Sequence, residues 1–149
     1  KEVLQLCLES DAIVIGTPIY YGSISSSAQA FLERLLFAAD TYVLGEDGNR
    51  VSKIKKEIKT AMIYTMNVTK EMDYFNGEDQ LAIMRGYLTA IFGECESLYV
   101  YDTKQFKKYD LYLNNMFDPE LKEQSKEVQF PKDCKKAYGL GERLAMSNK

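Results

Sequence analysis

Two adjacent tyrosines between a proline and a glycine make residues 17–25 (TPIYYGSIS) the segment best suited to bind a planar ring. Tyr20 and Tyr21 offer flat aromatic faces, and backbone N–H groups beside them can meet the polar edge of such a ring. Pro18 fixes one backbone angle, and Gly22 allows a ligand to approach the backbone closely. The same residues would also form a well-packed turn whose tyrosines cover the end of a sheet, so both interpretations stay open here.

The residue types needed for acid–base or metal chemistry are scarce. The chain has no histidine, which is the most frequent general base and a common metal ligand. Its three cysteines, Cys7, Cys95 and Cys134, lie far apart and form no CxxC pair. We therefore assign no catalytic residue and no metal site. We expect no disulfide scaffold, and we predict the reducing cytoplasm as the compartment.

The composition is that of one ordinary globular domain that binds neither nucleic acid nor a membrane. The chain has 149 residues, of which 46% are hydrophobic and 28% charged, and its net charge is −3. Lysines cluster mildly at residues 53–59 and 104–108, where we expect solvated faces. No apolar run approaches the ~20 residues of a membrane span. The N-terminal sequence KEVLQLCLES is too short and too acidic for a signal peptide.

Three apolar runs predict the strands. Residues 12–16 (AIVIG) form a short continuous run, which is typical of a strand buried on both faces in a parallel sheet. Residues 59–66 (KTAMIYTM) predict a second buried strand, and residues 97–101 (SLYVY) predict a third. Residues 2–10 have the pattern of the last turns of a helix whose start is missing, so we expect the domain to lack something upstream.

Helical spacing of apolar residues predicts three further helices, at residues 26–39, 78–92 and 131–145. Serines at positions 25–27 are candidate N-caps of the first of these helices. Gly93 follows the second helix at the position where a C-cap glycine belongs.

The alternation of helices and strands predicts an α/β fold with a parallel sheet and right-handed crossovers. Ligands in such sheets bind beyond the carboxyl ends of the strands, which here are followed by residues 17–27, residues 67–77 and the loop from residue 102 onward. Residues 103–117 show no period and are expected to be irregular, and Asp118-Pro119 marks a further helix start.

Residues 11–25 (DAIVIGTPIYYGSIS) and 28–34 (AQAFLER) resemble the third strand and following helix of flavodoxin-like NAD(P)H-dependent FMN reductases and related iron–sulfur flavoproteins. Residues 130–133 (FPKD) and 137–141 (AYGLG) are also similar to that family, so the resemblance covers essentially the whole chain. It implies a flavodoxin-like three-layer sandwich around a parallel sheet that lacks the first strands. Residues 1–149 would form a single, N-terminally truncated domain, equivalent to the C-terminal two thirds of a relative.

The resemblance implies a flavin-dependent oxidoreductase. Electrons would pass from NAD(P)H through bound FMN to a flavin, a quinone or another acceptor, and the flavin supplies the chemistry, so no catalytic side chain is implied. Relatives are commonly homodimers, for which residues 99–112 would offer a contact surface. The flavin ring would lie between two loops. The cofactor-binding residues that the resemblance implies are Thr17, Pro18, Ile19, Tyr20, Tyr21, Gly22, Ser23, Thr65, Met66 and Asn67.

The sequence departs from the family pattern near the ring and at the phosphate. Gln29 stands where relatives usually carry a lysine, and residues 65–68 (TMNV) lack the glycines that many relatives have. Relatives also begin with a strand and a Gly/Ser-rich loop that wraps the FMN phosphate at a helix N-terminus, and no such segment precedes Lys1. The serines at positions 23 and 25–27 could cradle a phosphate instead, although helix capping is their simpler role.

Three other interpretations stay open. A phospho-acceptor receiver domain would use Lys104 but needs an aspartate where the first strand ends at Gly16, and none stands there. A nicotinamide-binding Rossmann module needs GxGxxG after its first strand, whereas Gly139 and Gly141 fall inside a predicted helix. A flavodoxin-like fragment that binds no flavin would act as a non-catalytic, self-associating module through the exposed edge of residues 12–16.

Overall fold

A computed structural model describes residues 2–72 and 77–146 of the chain. Helices and strands alternate along it, and two short 3-10 turns lie at Lys70–Met72 and Tyr109–Leu111. The strands are β1 (Ala12–Tyr20), β2 (Ser23–Ile24), β3 (Lys59–Thr65) and β4 (Cys95–Val100). The helices are α1 (Glu2–Glu9), α2 (Ser26–Ala39), α3 (Gly77–Phe92), α4 (Pro119–Val128) and α5 (Phe130–Met146).

The four strands form one sheet in the order β2-β1-β3-β4, in which β1, β3 and β4 run parallel. Ile15 of β1 pairs with Met62 of β3, which in turn pairs with Ser97 of β4. β2 is antiparallel and pairs only with Ile19 and Tyr20 at the end of β1. A mostly parallel sheet between helices confirms the predicted α/β fold class.

The main core lies between one face of the sheet and helices α2 and α3. Leu32 of α2, Leu88 of α3 and Met62 of β3 are fully buried in this core. On the opposite face, Leu140 of α5 packs with Ala61 of β3. β3 is therefore buried on both faces, as its sequence predicts.

β1 is buried on one face only, so the expectation of two buried faces for residues 12–16 is wrong. Ile13 and Ile15 belong to the core, whereas Val14 on the other face is 50% exposed. The cause is the position of α5, which packs on β3 and β4. β1 therefore has the alternating burial of a strand with one solvated face.

The predicted loop at residues 17–27 is for the most part a β-hairpin. β1 continues to Tyr20 instead of ending at Gly16, because its last residues pair with β3 on one side and with β2 on the other. Tyr21 and Gly22 form the turn, with φ angles of 51° and 77°. Glycine adopts this left-handed conformation without strain, and the tyrosine beside it is a less common occupant.

The predicted helices agree closely with the observed ones. α2 begins and ends where the spacing predicts. α3 begins one residue earlier than predicted, and Gly93 after it has a φ of 110°, as suits a C-cap glycine. Asp118 caps α4, which begins at Pro119, the predicted helix start. Across residues 2–72 and 77–146, the helices are all too short or too polar to cross a membrane.

Candidate functional site

The carboxyl ends of β1 and β3 enclose, with the loop after β4, a cavity of about 200 Å³, which we call the strand-end cavity. Pro18 pairs with Thr65 in the parallel register, so the two strand ends lie side by side. This is the edge of an open α/β sheet at which ligands bind. The residues that line the strand-end cavity are Pro18, Ile19, Tyr20, Thr65, Met66, Asn67, Thr103 and Gln105.

Six of the ten predicted cofactor-binding residues lie in this wall, and four lie outside it. Tyr21 is fully exposed at the hairpin turn, and Ser23 is exposed on β2. Gly22 faces α3, because an added Cβ atom would lie 3.4 Å from the Gln80 Oε1 atom. Thr17 is buried, and it does not line the cavity. The sequence pattern identifies the segment, whereas the hairpin geometry decides which of its side chains reach the cavity.

Thr17 and Ser25 form a polar link between the hairpin and α2. The Ser25 N–H donates to the Thr17 Oγ1 atom at 3.1 Å, and the two side-chain oxygens also lie 3.1 Å apart. The Ser25 Oγ atom accepts a second hydrogen bond, from the Ala28 N–H at 3.3 Å, and so caps α2. Helix capping, the simpler of the two roles considered for the serines, is the one that Ser25 has.

Thr103 and Gln105 complete the wall, although the sequence pattern does not single them out. The Thr103 N–H donates to the Met66 carbonyl at 3.0 Å, and the Asp102 N–H donates to the Val68 carbonyl at 2.9 Å. These bonds join the loops after β3 and β4 backbone to backbone. The sequence does predict that the loop after the third strand lies near the ligand. It does not show which residues of that irregular loop would line a site.

Asn67 brings an unsatisfied hydrogen-bond acceptor to the cavity wall. Its side-chain N–H donates to the Gln105 Oε1 atom at 3.0 Å. Its Oδ1 atom is buried and has no hydrogen-bond partner among the described residues. A buried acceptor left unpaired costs about 1–3 kcal/mol, so an N–H donor on a bound molecule would recover that energy. Asn67 is thus a wall residue whose side chain keeps an unpaired acceptor among the described residues.

Lys122 of α4 ties the two loops together. It is 3% exposed, and its ammonium group donates both to the Asn67 carbonyl and to the Asp102 carboxylate. The same nitrogen lies 4.8 Å from the centre of the Phe117 ring. A lysine in a polar helix is expected in solvent, so sequence reasoning misses this residue. Its burial fixes the backbone that presents the Asn67 side chain.

The wall of the strand-end cavity is neutral. Tyr20 is the one ionisable residue among the eight that line it, and its side chain is half-exposed. In the adjoining strands, the Tyr64 and Tyr99 rings stack with their centres 5.1 Å apart, and burial raises the pKa of both phenols. Both phenols therefore stay protonated at neutral pH. The site offers hydrogen bonds and apolar contact.

A larger cavity of about 400 Å³ adjoins the first, between the loop after β4 and the helices α4 and α5. We call it the lysine cavity, because Lys104, Lys107 and Lys126 line it. It shares Thr103 and Gln105 with the strand-end cavity, so the two are neighbours along one edge of the sheet. The larger of the two is thus not the one that the sequence pattern identifies.

Comparison with known proteins places the chain in a family. Residues 1–129 match the profile of a family described as having the flavodoxin-like fold. No curated protein matches the chain significantly. Because this match covers well over half of the sequence, it shows the family to which the chain belongs.

Two solved structures are similar to the chain at low sequence identity. One, a thermophilic tryptophan halogenase (Th-Hal) from Streptomycin violaceusniger, is 16% identical with a TM-score of 0.53, and the alignment covers 74% of this chain and 64% of that one. The other, an NADPH-quinone reductase from P. pentosaceus, is 12% identical with a TM-score of 0.48, covering 83% of this chain and 67% of that one. At such identity the first similarity shows the fold alone. On its sequence profile and its architecture, the chain belongs to the flavodoxin-like fold family.

Proposed function

We propose that this chain is a domain of an FMN-dependent oxidoreductase, which passes electrons from NAD(P)H through FMN to a flavin, a quinone or another acceptor. Membership of the flavodoxin-like fold family supports the proposal. The observation that carries it is the strand-end cavity, in whose wall the Asn67 Oδ1 atom is buried without a partner.

The residues of the strand-end cavity fit an isoalloxazine ring. That ring is planar and apolar over most of its area, and its polar edge carries one N–H donor between two carbonyl acceptors. The Asn67 Oδ1 atom would accept from the N–H, and the backbone at Pro18 and Ile19 would border the ring. The Tyr20 side chain, 54% exposed, would cover one face.

The size of the cavity limits the fit to the ring system. At about 200 Å³ it is smaller than the ~300–1,000 Å³ of ordinary ligand sites, so the ribityl phosphate would lie outside it. Ser25 does not offer a phosphate site, since its hydroxyl group already caps α2. The affinity that this chain provides would therefore come from contacts with the ring.

The protein's part in the reaction is positional. When FMN is bound, it supplies the hydride and electron-transfer chemistry, and the protein supplies orientation, polarity and exclusion of water. The backbone bonds between the loops after β3 and β4 hold Met66 and Thr103 in place, and Lys122 holds Asn67. The wall itself carries no Asp, Glu, Lys or Arg side chain, although the Lys122 ammonium group bonds to the backbone of one wall residue, Asn67.

A flavin titration tests the proposal. We expect the purified chain to quench FMN fluorescence saturably, and the bound flavin absorbance near ~450 nm to bleach on addition of NAD(P)H without oxygen. Because the contacts are to the ring, riboflavin should bind within about tenfold of FMN. Absence of saturable binding by both compounds would refute the proposal, and bound flavin that NAD(P)H cannot bleach would refute its NAD(P)H-dependent part.

The open edge of β1 favours a second candidate function, that of a self-associating module without flavin. Within the described part of the chain, β2 covers only Ile19 and Tyr20 on that side of β1. In the parallel register with β3, the N–H and C=O groups of Ala12, Val14 and Gly16 point away from β3. An unpaired strand edge is a template for pairing with another chain, so this candidate predicts homodimers or larger assemblies.

A further inference from the structure

The lysine cavity is large enough to hold a ligand of its own. Its volume of about 400 Å³ falls within the ~300–1,000 Å³ typical of small-molecule sites. It opens beside the strand-end cavity, with which it shares Thr103 and Gln105. A molecule in one cavity could therefore reach into the other.

Two phenylalanines, Phe106 and Phe130, line the lysine cavity, and tyrosines outside the wall hold the Phe106 ring in place. The Phe106 ring stacks on Tyr112 with the centres 4.0 Å apart and meets the edge of Tyr109 at 5.2 Å. The Tyr109 hydroxyl group accepts the Gln105 N–H at 3.2 Å, which anchors this aromatic cluster to the loop after β4. Phe130, the first residue of α5, is half-exposed at the wall. A flat aromatic ligand would find preformed surfaces here.

The carboxylates of the lysine cavity are already neutralised. Asp133 is 4% exposed and accepts hydrogen bonds from the Lys136 ammonium group at 2.7 Å and from the Gln129 side chain at 3.1 Å. Asp102 pairs with the buried Lys122. Neither carboxylate is therefore left to repel an anion.

The lysines of the cavity outnumber the remaining acids. Lys104 and Lys126 share one carboxylate, that of Glu123, and Lys107 is exposed at the wall. The lining residues and their ion-pair partners thus comprise five lysines and three carboxylates, which leaves two positive charges. The whole chain carries −3, so this excess of lysines is a local feature, and Glu127 near Lys126 offsets part of it.

We propose that the lysine cavity binds a purine nucleoside phosphate, namely the adenosine phosphate half of the nicotinamide donor. The aromatic wall would take the base, and the unbalanced lysine charge would take the phosphate. This inference rests on the proposed function, because the nicotinamide end would then extend through the shared residues toward a flavin in the strand-end cavity.

A titration with adenosine monophosphate, in the absence of flavin, tests the site. We expect AMP to bind, with adenosine and inorganic phosphate each at least about tenfold weaker, because each lacks one of the two recognised parts. Affinity for AMP should fall as salt is raised, since the phosphate contact is ionic. No AMP binding, or AMP binding no tighter than that of inorganic phosphate, would overturn the proposal.

Two matched pairs of variants locate the bound molecule. Lys107→Ala should weaken AMP binding about tenfold, whereas Lys108→Ala, the same change at the exposed neighbour outside the wall, should leave it unchanged. Phe130→Ala should weaken it about fivefold or more, and Phe37→Ala, an exposed phenylalanine on α2, should not. Equal losses within either pair would mean that AMP does not occupy this cavity.

Competition identifies the source of the nucleotide. We expect NADPH to displace AMP, and a site that retains AMP under saturating NADPH would overturn the assignment to the donor. FMN titrations of the same variants keep the two proposals apart. Loss of FMN binding with AMP binding intact would count against the flavin site, and the reverse would count against the lysine cavity.

Discussion

At the scale of residues, the proposed flavin contact depends on one side-chain amide, that of Asn67. Its side-chain nitrogen donates to Gln105 and its backbone carbonyl accepts from Lys122, whereas its buried Oδ1 atom has no partner in residues 2–72 and 77–146. Sequence reasoning selects Asn67 because it follows the second buried strand. It cannot show which atom of the amide is left over, since that depends on partners 38 and 55 residues away.

Removing this acceptor should weaken flavin binding. We expect Asn67→Ala to raise the dissociation constant for FMN about tenfold, which corresponds to one hydrogen bond of about 1 kcal/mol or slightly more. Gln105→Ala, at another residue of the wall, breaks the same side-chain bond but keeps the Asn67 Oδ1 atom, so it should weaken FMN binding less than Asn67→Ala does. Fluorescence titration compares the two. Wild-type affinity in Asn67→Ala would show that the atom has no role in binding.

Cysteine reactivity tests the packing at the start of β4. Burial raises the pKa of the Cys95 thiol, so less of the reactive thiolate forms at a given pH, while Cys134 on α5 is exposed. We expect iodoacetamide to label Cys134 faster than Cys95 at neutral pH, as followed by mass spectrometry of peptides. Labelling of Cys95 should accelerate as the pH is raised. Equal rates at both thiols would contradict the described packing.

At the scale of elements, α4 acts as a clamp on the two loops of the strand-end cavity. Its Lys122 joins the Asn67 carbonyl to the Asp102 carboxylate, although these lie on different loops. Sequence reasoning finds the start of α4 from Asp118-Pro119 but not the clamp. The reason is that a lysine becomes buried only where a tertiary partner for its charge exists.

Replacing Lys122 should lower the stability of the fold and weaken FMN binding. Lys122→Met keeps the apolar stem but leaves the Asp102 carboxylate, 31% exposed, and the Asn67 carbonyl without their donor. We expect a loss of about 1–3 kcal/mol in the free energy of unfolding, measured with urea, and weaker FMN binding. Lys126→Met, an exposed lysine on the same helix, should change neither. A variant as stable as wild type would contradict the clamp.

A substitution at Ser25 shows whether this residue caps α2 or binds the FMN phosphate. Ser25→Ala should lower the free energy of unfolding by about 1 kcal/mol, as loss of an N-cap does, while leaving FMN affinity unchanged. Ser27→Ala, at an exposed serine in the first turn of the same helix, should have little effect on either quantity. If Ser25→Ala weakened FMN binding but not riboflavin binding, Ser25 would be a phosphate ligand after all.

At the scale of the whole molecule, most of β1 lies at an open edge of the sheet. The order β2-β1-β3-β4 leaves residues 12–18 of β1 paired with β3 alone within the described part of the chain. Pro18 suits such a position, because its missing N–H falls on the side away from β3. The open edge therefore offers hydrogen-bonding groups to a further strand.

The open edge predicts self-association. We expect sedimentation equilibrium to show assembly that increases with concentration, and Val14→Lys to reduce it, because a charge on an edge strand opposes pairing. Val128→Lys is the control, since Val128 on α4 is equally exposed but lies outside the sheet. A monomer at high concentration would count against this account of the edge.

Local patterns predict most of the fold, and tertiary packing decides the rest. Helix spacing and caps are local, so the bounds of α2 and the start of α4 follow from the sequence alone. The hairpin after Gly16 and the solvated face of Val14 do not, because both depend on which elements lie beside β1. The site divides in the same way, since six of its lining residues are predicted from the sequence, while Thr103, Gln105 and Lys122 become visible only in three dimensions.

The most direct test of the central claim is to map riboflavin onto the chain by amide chemical shifts. We expect the largest shifts at the backbone N–H groups of the residues that line the strand-end cavity. Those groups belong to Ile19, Tyr20, Thr65, Met66, Asn67, Thr103 and Gln105. Tyr21, a neighbour outside the wall, should shift less. Saturable shifts clustered on another surface, or no shifts at all, would contradict the claim that a planar redox ring binds at the ends of β1 and β3.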